Sequence, residues 1–360
     1  MWLAELRLRD FRNYAAQDIA FSEGLMVLAG PNAQGKSNLL EGVYMAAVGR
    51  SPRAGRDAEV IRFGQDRAYL RASVCGTRTH ILQVAVDRDS GEKRLKVNGV
   101  PAQRGHFLGR LVVVLAGPLD DEVIRGASAY RRRVLDAALS QVSPSYYFAL
   151  ARYVRVIRQR NRLLREVAPE QAIAPWDEQL VDLGAALVER RRRFVEALSA
   201  RAATRHARVA SGEHLEVTYM CTAGGGDERE ALRRALSARR KEEFRRGTSL
   251  VGPHRDDLRL AVGGTDLKLF GSRGQQRTAA LSLRLAEADL LREELGEWPV
   301  VLLDDVLADL DPVRQAFLLR EVAGPQVFLT HTAPLASLGI PMRFLTVRAG
   351  AITEAPDVRA

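Results

Sequence analysis

"LMVLAGPNAQGKSNLLEGVY", residues 25–44, passes from an apolar strand-like run through a glycine-punctuated loop into a segment with helical spacing. Its centre, Gly30–Ser37, fits the pattern G-x-x-x-x-G-K-[ST]. The pattern carries physical meaning only between a buried strand and a helix, the context found here. In such a loop the backbone N–H groups of Asn32–Lys36 wrap phosphates, Lys36 reaches the β/γ oxygens, and Ser37 ligates Mg²⁺. An α/β fold is the expected scaffold for this strand–loop–helix passage.

The rest of the chain supplies what such a loop needs. "VVLLDD", Val300–Asp305, reads as a buried strand ending in two carboxylates. Asp304 suits the Mg²⁺ role, and Asp305 could polarise a water for attack on a γ-phosphate. An Asp-Asp pair at a strand end is by itself a turn signal; the P-loop gives it the functional reading. "VFLTH" ends one strand later at His331, placed to sense the γ-phosphate as a hydrogen-bond donor. A second small polar loop, "GSRGQQR" (271–277), opens an Ala/Leu-rich helix and suits an anion.

Organisation follows from texture. Residues 67–100 alternate as antiparallel strands around a turn at 89–92, and 111–117 is a short apolar run suited to a buried strand. From 122 the chain turns helical. Ser143-Pro144 caps a helix whose apolar positions Tyr147, Leu150, Val154, Ile157 and Leu164 keep near-heptad spacing. After a break bounded by Pro169 and Pro175, Trp176, Leu180, Leu183, Leu187, Phe194 and Leu198 repeat the seam, predicting an antiparallel helical hairpin. Strand patterns return near 248. Three parts are therefore expected: 1–121 and 248–360 as a split nucleotide-binding head, and 122–247 as a basic helical arm.

The 360 residues carry a formal charge of +10, of which residues 121–250 hold +8, with 25 Arg and Lys against 17 Asp and Glu. Such an excess speaks of partners, with nucleic acid foremost, although solvated helices in an Arg-rich chain would show it too. Arg131–Arg133, Arg155, Arg158, Arg160, Arg162 and Arg190–Arg193 are the candidate phosphate contacts. Four consecutive arginines go right round a helix, so some must pair within the hairpin. No base-reading helix or stacking platform is evident, which predicts duplex binding through the backbone with strong salt dependence. Two cysteines, Cys75 and Cys221, support neither a disulfide framework nor a zinc site, and a reduced cytoplasm fits them. No apolar run is long enough to cross a membrane, and the charged N-terminus lacks a secretory pattern.

The order P-loop, helical insertion, "SRGQQ", "LLDD", "LADLD" and "LTH" resembles the ABC-type ATPases of the SMC/Rad50 branch. Within that branch, "LRDFRNY", "GPNAQGKSNLLEGVY", "VNGVPAQ", "AYRRRVLD", "LVGPHRDDL", "GSRGQQRTAALSLRLAE" and "LLDDVLADLD" resemble the RecF family over nearly the whole chain. The resemblance implies an ABC-type P-loop ATPase head with a mixed sheet, split by an α-helical insertion containing a short antiparallel hairpin. It implies ATP and Mg²⁺ as ligands. Arg12 and Asn13 would lie near the adenine, Gly30, Asn32, Gly35, Lys36, Ser37 and Asn38 would hold the phosphates, and Ser37 and Asp304 the metal. Lys36, Asp304, Asp305 and His331 would be catalytic, with Asp305 where many ABC ATPases carry Glu. Asp309 and Asp311 match the D-loop. Ser272, Gly274 and Gln275 would serve the ATP of a second chain in a head-to-tail homodimer.

By the same resemblance, the ATP-state dimer would close its two helical arms over double-stranded or gapped DNA, and slow hydrolysis would release it. RecR and RecO would be partners in loading RecA onto single-stranded DNA. Structural DNA bridging, as in longer SMC/Rad50 proteins, is the alternative; short arms without hinge or zinc hook count against it. Arg273 stands where transporter signatures have Gly. The segment "LAGPLDDEV" (115–123) lacks the glutamine that many ABC ATPases place there, which puts its metal or water contact in doubt. "VGPHRDDL" (251–258) stays open between a turn with ordinary ion pairs and a coupling element through His254 and Arg255.

Overall fold

The computed structural model describes residues 1–210, 212–308, 312–322, 324–332 and 340–354. The chain forms two compact units, Met1–Asp120 with Ala280–Ala360, and Asp121–Ala279. The expected D-loop residues Asp309 and Asp311 lie outside the described residues.

The first unit begins with β1 (Trp2–Phe11), β2 (Tyr14–Ala20), β3 (Leu25–Ala29) and α1 (Lys36–Val48). It continues through β4 (Arg67–Cys75), β5 (His80–Asp87), β6 (Lys93–Val97), β7 (Val100–Pro101), α2 (Arg104–Phe107) and β8 (Val113–Ala116). Six of these strands form an antiparallel sheet in the order β2-β1-β4-β5-β6-β7. Alternation sets its faces: Ala68, Leu70, Ala72 and Val74 of β4 point inward between more accessible neighbours. In β1 a register shift between Leu3 and Glu5 lets Leu3 and Leu6 share the buried side despite their odd spacing.

The second unit contains α3 (Asp121–Ile124), α4 (Ser128–Val142), α5 (Pro144–Arg165), α6 (Glu170–Val209), β9 (Leu215–Met220) and α7 (Glu228–Arg246). Then come β10 (Asp257–Val262), β11 (Thr265–Asp266), α8 (Leu267–Phe270) and the first turns of α9 (Arg273–Leu295). Ser143 caps α5, accepting from the Tyr146 N–H at 3.2 Å, with Pro144 in the first turn. The break expected at Pro175 is absent, and α6 runs through it. Ile173 and Leu180, both fully buried on either side, hold the helix across a residue that cannot donate its backbone bond. The α5 seam also differs from expectation. Its buried face is Tyr146, Tyr153, Val156, Arg160 and Leu164, while Val154 is exposed. Hydrophobic spacing passed over Arg160 because a buried arginine does not read as apolar.

Strand texture at 256–262 placed the return to the head near 248. In the structure that strand pairs with β9 in a three-stranded antiparallel sheet, β11-β10-β9, and the chain leaves this unit after Ala279. Alternation identifies a strand but not the sheet it joins.

The remainder of α9 returns to the first unit, followed by β12 (Val300–Leu303), α10 (Pro312–Glu321), β13 (Val327–His331), β14 (Met342–Arg348) and β15 (Ala351–Glu354). These strands join β3 and β8 in a second sheet, ordered β15-β14-β3-β13-β12-β8, parallel except for β15. β3 and β12 are buried along their whole length, as strands covered on both faces require. The carboxyl ends of β3, β12 and β13 thereby bring Gly30, Asp304 and His331 to one edge of one sheet. Among the described residues no helix is long and apolar enough to cross a membrane.

Candidate nucleotide site

The loop between β3 and α1 owes its shape to two glycines. A Cβ on Gly30 would lie 2.3 Å from the Val347 carbonyl oxygen, so only glycine fits against β14. Gly35 adopts φ of 120°, and a Cβ there would meet the Asn13 amide at 2.7 Å and the Tyr14 hydroxyl at 3.0 Å. Tyr14 in turn donates to the Gly35 carbonyl at 2.9 Å. Asn13 donates to the Gln34 carbonyl at 2.9 Å and accepts from Asn38 at 2.8 Å. The β1–β2 turn thus braces the loop from one side. Asn32 sits in the same loop and is exposed, and its carbonyl accepts from Gln34 Nε2 at 3.4 Å.

Lys36 is buried, and its ammonium donates to the carbonyls of Gly30 (2.6 Å) and Pro31 (2.8 Å). Burial lowers its pKa, and the charges of Asp305 and Asp304 oppose that shift. Ser37 Oγ donates to Asp304 Oδ1 at 2.7 Å, joining the phosphate loop to the end of β12. Thr330 Oγ1 donates to the same Asp304 oxygen at 3.0 Å and accepts from the Asp305 N–H at 2.8 Å. Asp305 itself takes φ of 56°, a left-handed conformation that Asp tolerates better than most residues. His331 ends β13, and its carbonyl accepts from the Gly30 N–H at 3.3 Å.

Arg12 is committed to the protein. Its Nε and Nη2 grip the Glu41 carboxylate at 3.0 and 2.6 Å, and Nη1 donates to the Glu59 carbonyl at 2.7 Å. Glu41, buried on α1, also accepts from Ser51 Oγ at 2.5 Å and from Arg53. Arg53 reaches on to the Ser37 carbonyl at 3.1 Å and Asn38 Oδ1 at 2.9 Å. Burial pushes the Glu41 carboxyl up, but the bonds from Arg12 and Ser51 and the Arg53 charge outweigh it and leave it below its ordinary value. Sequence reading missed Glu41, Arg53 and Thr330. The available signal was a carboxylate inside the otherwise apolar stretch "LLEGVY", which must find a cation to be buried at all.

Where a glutamine was looked for after β8, the chain turns at Gly117, whose N–H donates to Asp120 Oδ2 at 2.9 Å. A Cβ on Gly117 would come within 3.0 Å of Asp304, so the two strand ends touch. Asp120 accepts two bonds from Arg284 of α9, at 2.9 and 2.7 Å, and Arg284 also donates to Glu287 at 2.8 Å. All three side chains are buried.

The donor set at the edge of the parallel sheet suits a nucleotide triphosphate with a hard divalent cation: an ammonium, a hydroxyl and a carboxylate facing one loop. Among the described residues no three His, Cys, Asp or Glu side chains are arranged to hold a metal by themselves. A cation here would therefore take Ser37, Asp304 and phosphate oxygens.

Ser272, Gly274 and Gln275 lie in the other unit and form a local motif of their own. Gln275 N–H donates to Ser272 Oγ at 3.2 Å, and Ser272 N–H donates to Gln275 Oε1 at 3.1 Å. This reciprocal capping box opens α9. Gly274 has open space around its Cβ position, Gln275 also donates to Glu213 at 3.4 Å, and the buried Gln276 is held by Arg125 and the Leu267 carbonyl.

The "GPHRDD" segment belongs to that second unit. His254 Nδ1 lies 2.8 Å from the Tyr153 hydroxyl and its Nε2 3.2 Å from the Ser249 carbonyl, to which Arg255 also donates at 3.0 Å. Burial, with the charges of Arg255, Arg132 and Arg160, lowers the His254 pKa to about 4 despite the Ser249 bond. Arg160 binds Asp177, Glu243 and Ser249, and Arg191 binds Asp136, Tyr146 and the Pro253 carbonyl. Both are fully enclosed, and Arg131 is nearly so, against Asp257. These three candidate phosphate contacts are internal ties, because a guanidinium taken out of water needs its carboxylate.

Comparison with known proteins gives one consistent result. The RecF/RecN/SMC N terminal domain family matches residues 2–330. A DNA replication and repair protein RecF from Symbiobacterium thermophilum is 44% identical, covering 92% of each chain. That of Halothermothrix orenii is 37% identical, covering 98% of this chain and 99% of its own. A solved structure of the recombination mediator protein RecF with ATP, in the RecFOR pathway, is 32% identical with a TM-score of 0.91, covering 99% of this chain and 98% of that one. A Pyrococcus furiosus Smc head domain shares the fold at 18% identity, with a TM-score of 0.58.

Proposed function

This chain belongs to the RecF family of DNA replication and repair proteins, and on that footing we propose that it is an ATP-switched DNA-binding protein of recombinational repair. One observation carries the chemistry: the 2.7 Å bond between Ser37 of the phosphate loop and Asp304 at the end of β12, with Lys36 and Asp305 beside it. The RecF relative solved with ATP supports ATP as the ligand.

The loop N–H groups and Lys36 bind the phosphates, and Ser37 and Asp304 would hold Mg²⁺, which would supply neutralising charge to the phosphates. Asp304 is kept in place by Thr330. Asp305 orients the attacking water and accepts its proton, and His331 donates to the γ-phosphate. Asn13 and Asn38 brace the loop, and Arg12 acts through Glu41 and the 59–61 segment to support the adenine side.

Ser272, Gly274 and Gln275 of a second chain complete the site in trans. Contacts made only with γ-phosphate present shift the monomer–dimer equilibrium, so ATP closes a homodimer and slow, DNA-stimulated hydrolysis opens it. The closed dimer holds double-stranded and gapped DNA through the backbone, and with RecR and RecO assists the loading of RecA in the cytoplasm. Sedimentation of wild type with ATP should show dimer, while Lys36→Met and Ser272→Arg remain monomeric. Monomeric wild type with ATP bound, together with an ATP-independent DNA affinity, would overturn the switch.

A further inference from the structure

α5 is chemically unlike its neighbours. Its 22 residues contain six arginines and no aspartate or glutamate. By contrast, α6 and α7 interleave acids with their bases, and Arg192, Arg193, Arg229, Arg233 and Arg240 each meet a carboxylate. One α5 arginine, Arg160, is turned inward and neutralised. The other five, Arg152, Arg155, Arg158, Arg162 and Arg165, are exposed. Their spacing of three to four residues sets them along the face opposite Tyr146, Tyr153, Val156 and Leu164. Arg162 bonds Glu166; Arg152, Arg155, Arg158 and Arg165 make no hydrogen bond or ion pair among the described residues.

A row of like charges at these spacings destabilises a helix by about 0.2–0.5 kcal/mol per pair. The surrounding helices avoid that cost by placing acids in register. We infer that the outer face of α5 is the surface that lies along the phosphate backbone of duplex DNA. This rests on the DNA-binding reading above and narrows it to one helix, excluding Arg131, Arg160 and Arg191.

The dimensions fit. From Arg152 to Arg165 is roughly 20 Å at 1.5 Å per residue, a length over which B-DNA carries on the order of 12 phosphates. Long guanidinium stems from one straight row reach a backbone without entering a groove. The accessible aromatics of α5, Phe148 and the half-buried Tyr147, pack edge to face at 5.5 Å at the start of the helix, which is not the series of stacking rings that single strands use.

The test is duplex affinity of the full chain with ATP, against salt, for a random-sequence DNA. Arg152→Gln/Arg155→Gln/Arg158→Gln is compared with Arg229→Gln/Arg233→Gln/Arg234→Gln, which removes equal charge from α7. The α5 triple should weaken binding roughly tenfold or more at low salt and reduce the log–log salt slope by about 3, while the α7 triple should do neither. Replacing the same α5 residues by Lys should keep most of the slope, since a phosphate row needs charge above all. Equal losses in both triples, or a wild-type slope in the α5 triple, would overturn the assignment while leaving DNA binding standing. A wild type whose duplex affinity ignores salt would remove the DNA reading itself. An α5 triple that keeps DNA binding but loses an acidic protein partner would also overturn it.

Discussion

Thr330 is a small side chain with two obligations: it donates to Asp304 and accepts from the Asp305 N–H. Valine has the same shape but can do neither. Thr330→Val leaves a part-buried N–H without its partner, at about 1 kcal/mol of stability, and frees the carboxylate that Ser37 contacts. ATP hydrolysis should fall in kcat by tenfold or more with KM for ATP changed little; an unchanged kcat contradicts the positioning role. Glu41 gives a second handle. Its folded pKa is depressed, so its contribution is full above the unfolded value of 4.5 and is lost as pH falls through the folded one. Denaturation of Glu41→Gln should show a shallower loss of stability below pH 4.5 than wild type, together with a raised KM for ATP as Arg12 and Arg53 lose their common acceptor. Ser37, Asp304 and His331 could be located from sequence because each ends or follows a short apolar strand. Thr330, Glu41 and Arg53 could not: their importance lies in partners brought from 12 to 29 residues away or from another strand.

Elements of the second unit are joined by buried ionic ties as well as by the apolar seam of α6. Arg160 joins α5 to α6 and α7 through Asp177 and Glu243, and to the following loop through Ser249. Removing it leaves the enclosed Glu243 without a cation and Asp177 with Arg240 alone, so Arg160→Met should cost about 3–5 kcal/mol in chemical denaturation. A loss below 1 kcal/mol would mean that the cluster is not structural. His254 sits beside this tie and is held neutral, its pKa lowered to about 4 by burial and by Arg255, Arg132 and Arg160. In the unfolded chain it takes a proton near pH 6.5. Stability should therefore decline as pH falls from 6.5 toward 4, and His254→Gln should flatten that part of the profile. The helical hairpin was legible in the spacing of Leu180, Leu187, Phe194 and Leu198. The α5 seam was misread because its inward positions include Arg160, and the run through Pro175 because burial of Ile173 and Leu180 overrides local propensity.

For the molecule as a whole, charge is partitioned by unit. Residues 121–279 carry 30 Arg and Lys against 20 Asp and Glu, so the entire +10 lies there and the nucleotide-binding unit is neutral. That division matches the two tasks assigned to the chain, phosphate chemistry in one unit and a polyanion in the other. The capping box at Ser272 and Gln275 shows what the second anion loop does within one chain, where it starts α9. The central claim is that it also serves the nucleotide of another chain. ATP hydrolysis by an equimolar mixture of Lys36→Met and Ser272→Arg, each inactive alone, decides this most directly. If the site is shared, only a mixed dimer pairs an intact Lys36 with an intact Ser272, at one of its two sites, and the mixture should recover activity up to about half that of wild type. No recovery, with mixed dimers formed, would place both groups in a single chain's site and contradict the account.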